Sequence, residues 1–161
     1  MTVQHMLVPL DFSPYADRAL EYAIALAQQL QARLTLLHVL HLTPREMGKV
    51  TAAPSLEAYL QWVETDAQHQ MQAARERVHQ AGLPCDSVVV QGVPYQTIVE
   101  LAGNRAVDLI VMGTHGRTGL LHVLLGSVAE RVVRLAPCPV LVTRGAPDNP
   151  AMSEDTTPAH P

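Results

Sequence analysis

Short apolar runs alternate along the chain with stretches whose apolar residues recur every three or four positions. Residues 5–10, HMLVPL, form the first run, which ends at Asp11. Ser13-Pro14 follows, a serine suited to a helix N-cap and a proline suited to the first helical position. Ala16, Leu20, Ala23, Ala27 and Leu30 then share one helical face, with small side chains that let the helix lie close to a sheet. Residues 33–40, RLTLLHVL, are a continuous apolar run of the kind found in strands covered on both faces. Pro44, Gly48 and Pro54 mark 41–54 as a loop. From Ser55 to Ala81 a helical stripe carries Leu56, Leu60, Val63, Ala67, Met71, Ala74, Val78 and Ala81. Gly82 sits where a helix commonly ends in a left-handed residue.

The same reading predicts strands at 86–90, 108–112 and 140–143, and helices at 94–104 and 128–135, the last stopped by Pro137. Strands joined by helical crossovers imply one α/β domain: a doubly wound, mostly parallel five-stranded sheet with helices on both faces. The pentapeptide LLHVL occurs at 36–40 and again at 120–124, so context must decide each copy. The domain is expected to span 1–144. The tail at 145–161, GAPDNPAMSEDTTPAHP, is poor in apolar residues and rich in proline, and is expected to be disordered.

Composition narrows the chemistry. Aromatics make up only 4% of the chain, so the core must be aliphatic. A formal charge of -4 gives no general attraction for nucleic acid. Lys49 is the only lysine, so any phosphate must be held by backbone amides, arginine or a metal ion. Cys85 and Cys138 have neither C-x-x-C spacing nor a neighbouring histidine pair, which argues for two reduced, buried thiols rather than a disulfide framework or zinc site. The first residues lack the basic and apolar regions of a signal peptide, and no run approaches the ~18 apolar residues of a membrane span. A cytoplasmic protein without membrane or nucleic-acid partners is expected.

Open parallel sheets bind ligands beyond the carboxyl ends of their strands, where the strand order reverses. After the fourth predicted strand comes Gly113-Thr-His-Gly116-Arg-Thr-Gly119, and later Gly126-Ser127. Glycines let backbone N–H groups approach a ligand, and a helix amino end offers unpaired N–H donors with a partial positive charge. Ser127-Val-Ala-Glu130 also matches a capping box, in which serine and glutamate satisfy the helix end themselves. Spacing alone leaves phosphate binding and capping both open.

The span Gly113-x2-Gly116-x9-Gly126-Ser127 resembles the G-x2-G-x9-G-[ST] motif of ATP-binding universal stress proteins. MLVPLDFSPYADRAL, LTLLHV, DLIVMGTHGRTGLLHVLLGSVAERVV and APCPVLVTR resemble that family as well, so that residues 4–144 are covered. The resemblance implies a Rossmann-like fold of the adenine-nucleotide alpha-hydrolase type, with ATP or AMP as ligand and Mg²⁺ carried by the phosphates. It further implies that Pro9, Leu10 and Asp11 border the adenosine, with Asp11 near the ribose or adenine. Val39 would contact the adenine, and Met112 and Gly113 would line the ribose side. Gly116, Arg117, Gly126, Ser127 and Val128 would surround the phosphates. Several of these residues have plainer uses: Asp11 as a cap of the turn, Val39 as packing, and Arg117 and His115 as solvated loop residues. His38 and His41 lack the partners of a metal set.

The resemblance implies a nucleotide-responsive regulator of stress responses, whose partner protein is unknown. There is no G-x-x-x-x-G-K-[ST], and no second acidic residue is matched to Asp11, so weak or no ATPase activity is expected. A slow ATPase or phosphotransferase, and a nucleotide-free dimeric interaction module, are the alternatives. The run Val140–Thr143 is short, apolar and late, as expected of an edge strand, and edges invite pairing. A homodimer through this strand is expected, and the resemblance implies antiparallel pairing.

Overall fold

Side chains of β1 (His5–Pro9) alternate between two apolar layers, as the period of a strand requires. Met6 and Val8 enter one core with Leu34, Leu36 and Val111, while Leu7 enters a second core with Leu37, Ile110 and Met112. A strand that is apolar on both sides needs cover on both faces. The structure, a computed structural model, describes residues 2–41, 55–114 and 125–144. Around β1 these form α1 (Pro14–Leu30), β2 (Arg33–Leu40), α2 (Leu56–Gln80), β3 (Cys85–Gln91), α3 (Pro94–Asn104), β4 (Leu109–Gly113), α4 (Ser127–Leu135) and β5 (Val140–Thr143). The five strands pair in parallel in the order β3-β2-β1-β4-β5. Helices α1 and α2 cover the first core, and α3 and α4 the second.

Helix α1 starts as its sequence dictates. Ser13 is the N-cap, its hydroxyl accepting from the Ala16 N–H, and Pro14 opens the first turn. The face it buries is made of Ala16, Ala19, Leu20, Ala23 and Ala27, with Leu30 left 44% exposed beyond the contact. The helix ends on Gln31 in the left-handed region (φ 55°), a position with no glycine to announce it. In α2 only the lower part of the expected stripe is buried: Ala67, Met71, Ala74 and Val78. Leu56 and Leu60 are exposed. A helix of 25 residues is about 37 Å long, whereas the 8-residue β2 spans roughly 26 Å, so the first turns of α2 have no sheet beneath them. Arg77 ties α2 to Asp17 of α1 at 2.8 Å, and Gly82 is left-handed as expected (φ 76°). The tail 145–161 lies outside the described residues.

The two thiols are free, and both are half-buried rather than fully enclosed. Burial pushes Cys85 up to about 11 and raises Cys138, so both stay protonated and unreactive near neutral pH. Among the described residues no helix is long and apolar enough to cross a membrane.

At the amino ends of the strands, β4 begins at Leu109, one residue later than expected, because Asp108 turns back. Its carboxylate accepts the N–H groups of Gln4 (2.9 Å) and His5 (3.0 Å). The buried His5 ring meets Thr35 Oγ1 through Nε2 at 2.8 Å, and its Nδ1 lies 3.1 Å from Arg33 and 3.2 Å from the Arg105 carbonyl. Burial, followed by the Arg33 charge, holds His5 below the ordinary histidine value of 6.5. The unfolded chain therefore takes up a proton that the fold resists, and stability is lost as pH falls below that value. The Asp108 carboxyl is lowered by its two backbone hydrogen bonds, and that contribution is lost only in stronger acid, below 3.8. The melting temperature is expected to drop between about pH 7 and about pH 5, and His5→Gln, which does not titrate, to flatten the drop; thermal melts across that range check it.

Candidate functional site

The strand order reverses between β1 and β4: the chain moves outward from β1 to β2 and β3, then crosses back to β4 and β5. Loops leaving the carboxyl ends of β1 and β4 diverge there and leave a crevice. The structure brings to this end of the sheet Pro9, Leu10 and Asp11 after β1, Val39 near the end of β2, and Met112 and Gly113 ending β4. The start of α4 is returned to the same place by a hydrogen bond from the Gly126 N–H to the Thr114 carbonyl, 2.7 Å, while the Thr114 N–H is held by Thr143 of β5 at 2.9 Å. Gly126, Ser127 and Val128 therefore stand beside Gly113 although 12 residues lie between Gly113 and Gly126. His115, Gly116 and Arg117 lie outside the described residues.

The β1–α1 turn is tightly determined. The Leu10 N–H bonds to the Leu37 carbonyl at 2.8 Å, extending the β1–β2 ladder past the last strand residue. Asp11 Oδ1 accepts the Ser13 N–H at 3.1 Å and the Ser13 hydroxyl at 2.6 Å, and Ser13 Oγ in turn accepts from Ala16. Asp11 thus does cap the turn, while its side chain remains half-exposed at the crevice. Phe12 is left-handed (φ 60°), which for a residue with a Cβ costs about 1–2 kcal/mol. His38 holds the turn from the β2 side: its Nδ1 bonds to the Leu10 carbonyl at 2.7 Å, and its ring stacks on Phe12 with centroids 4.4 Å apart. Nothing in the sequence marks Phe12 as a left-handed residue.

The apolar candidates are shared with the second core. Met112 is 5% exposed, and Val39 and Val128 pack partly against the same cluster, so Met112 offers the crevice its main chain rather than its thioether. Gly113 has a packing reason of its own. A Cβ there would lie 2.9 Å from the backbone carbonyl carbon and oxygen of Tyr15, so its absence lets β4 end directly against the first turn of α1.

The capping box is not formed. The N-cap of α4 is Gly126, with no side-chain hydrogen bond, and Ser127 is the first helical residue, one position too late for its hydroxyl to cap. The N–H groups of the first turn consequently have no intrahelical acceptor, and the amino end carries roughly half a positive charge. Gly126 has φ −67° and ψ 154°, a conformation open to any residue. Backbone freedom therefore does not demand glycine at 126. The Arg131 guanidinium lies 4.8 Å over the Tyr95 ring and pins α4 to α3. Among the described residues no three His, Cys, Asp or Glu side chains gather to hold a metal ion.

Comparison with known proteins gives a consistent relationship. The model of the Universal stress protein family matches residues 2–144. A universal stress protein of Methanocaldococcus jannaschii, MJ0531, is 34% identical over 139 residues, covering 86% of this chain and 81% of its own. Among solved structures, protein MJ0577 superposes with a TM-score of 0.77 at 32% identity, covering 89% of this chain and 97% of the other. A universal stress protein solved in complex with cAMP has a TM-score of 0.63 at 27% identity, covering 91% of this chain and 100% of its own.

Gly113→Ala is expected to destabilise the protein by about 1–3 kcal/mol, because the new methyl group must push the rigid start of α1 away from β4. Urea unfolding of the two proteins measures the difference.

Proposed function

The chain belongs to the universal stress protein family, and on that premise we propose that it binds an adenine nucleotide, ATP or AMP, in the crevice between β1 and β4. The observation that carries this reading is the amino end of α4. Its N-cap is a glycine without a side-chain cap, tethered to the end of β4 by the Gly126–Thr114 hydrogen bond. Phosphate oxygens would accept the N–H groups that the helix leaves unpaired, and a bare Cα at Gly126 leaves them room to approach. This is phosphate binding without lysine. A relative of the same fold solved with cAMP supports an adenine nucleotide as the ligand class.

In this reading Asp11 reaches the ribose or adenine, with Pro9, Leu10 and Val39 around the base. Met112 and Gly113 border the sugar through their main chain. Gly116 and Arg117, together with Gly126, Ser127 and Val128, enclose the phosphates, and Mg²⁺ travels with them. The protein acts as a nucleotide-responsive regulator in stress response, with slow or no turnover. Denaturing the purified protein and chromatographing what is released should yield an adenine nucleotide; if none is released and ATP gives no thermal shift, the reading fails. Gly126→Val should weaken ATP by about 2 kcal/mol or more, through loss of roughly two amide hydrogen bonds, and an unchanged affinity by calorimetry would remove the helix end from the site.

A homodimer through β5 accompanies this proposal. β5 is an edge strand, and Leu141 on it is exposed. The carbonyls of Pro139 and Thr143 accept from β4, at Ile110 and Thr114. By the alternation of a parallel ladder, the N–H of Val142 then faces the free edge. Val142→Pro should therefore dissociate the dimer while sparing the β4–β5 ladder and nucleotide binding. Light scattering on both proteins decides, and a monomeric wild type at micromolar concentration ends the dimer proposal.

A further inference from the structure

We infer that His38 is a positioning residue for the nucleotide crevice, gripping the turn on both sides of Asp11 with one imidazole. The inference rests on the nucleotide-binding reading. Asp11 has a short side chain, so the direction of its carboxylate is set by the backbone of residues 10 to 12. His38 acts on both flanks. Before Asp11, its Nδ1 bonds to the Leu10 carbonyl at 2.7 Å; a carbonyl can only accept, so Nδ1 must carry the proton. After Asp11, the same ring stacks on Phe12 at 4.4 Å and 26°. Phe12 is left-handed without being glycine, a conformation that persists only where the surroundings over-determine it. The stack is part of what holds it.

The gripping residue is itself firmly placed. β2 is an interior strand, and Leu37, the residue before His38, pairs with Pro9, the last residue of β1. His38 is 9% exposed, so its ring has little freedom. Asp11 is consequently held in place before any ligand arrives, which spares the ligand the cost of ordering it. A core role alone would need only a side chain of similar volume. The grip needs both a ring face and a donor at Nδ1.

Three variants of the full-length protein separate these requirements. His38→Phe keeps the ring and removes the donor, His38→Asn keeps an amide donor near the Nδ1 position and removes the ring, and His38→Ala removes both. Two quantities are read: ATP affinity by calorimetry, and amide exchange of Ser13, whose N–H donates to Asp11. The β1 amides serve as the folding control. With those amides protected as in wild type, His38→Phe and His38→Asn should each weaken ATP about tenfold, the scale of one hydrogen bond or one aromatic contact. His38→Ala should weaken it further, so that His38→Asn recovers part of the loss, and Ser13 exchange should accelerate in the same order. Folded variants with unchanged Ser13 exchange and unchanged ATP affinity overturn the proposal. If the wild type takes up no ATP, the nucleotide reading falls separately, and Ser13 exchange still decides the grip: faster exchange in the variants supports it, and unchanged exchange overturns it.

Discussion

Everything in this fold depends on β1 being paired in parallel on both sides, with β2 and with β4. A strand in that position cannot expose either face, which is why Met6, Leu7 and Val8 are fully buried and why each face needs its own pair of helices. It also forces the chain to build outward in one direction and then cross to the other. The crevice at the carboxyl ends of β1 and β4 is a consequence of that crossing. No residue has to be specialised to create it.

What is specialised is the main chain that lines the crevice. The polar work is assigned to backbone groups and short side chains: the Asp11–Ser13 cap, the Gly126–Thr114 tether and the uncapped first turn of α4. Two glycines contribute in different ways. Gly113 is needed because the backbone of Tyr15 occupies the place of its Cβ. Gly126 has an ordinary conformation, so its backbone torsions do not require glycine. A protein with a single lysine, outside the described residues, can still present concentrated N–H donors in this way.

The two ends of the sheet are treated in opposite fashion. At the amino ends, Asp108 takes two backbone N–H groups, and His5 is enclosed by Thr35, Arg33 and the Arg105 carbonyl, so that the edge of the core is sealed. At the carboxyl ends the side chains pull the backbone into a strained turn at Phe12 and leave the crevice lined by main chain. Strain sits at the end where a ligand would gain from a fixed carboxylate. The amino end holds the two groups, His5 and Asp108, whose pKa values the fold lowers.

Local pattern was enough to place the elements, because apolar period and turn chemistry act over a few residues. The run 33–40, the helix 94–104 and the strand 140–143 were all legible, and so were the Ser13-Pro14 start and the left-handed Gly82. Of the spaced glycines, Gly113 and Gly126 come together at the carboxyl end of the sheet. Tertiary structure decided what depends on a neighbour's position. Leu56 and Leu60 belong to the apolar stripe of α2 yet lie in the open, because periodicity does not report where the sheet beneath a helix stops. Ser127 fits a capping box in sequence, but the tether to Thr114 starts the helix one residue sooner, with Gly126 as its cap. The left-handed Phe12, the ring of His38 against it and the contact of Gly113 with Tyr15 join residues far apart in the chain. Such contacts follow from strand order, and strand order is settled only when the whole sheet buries both of its faces at once.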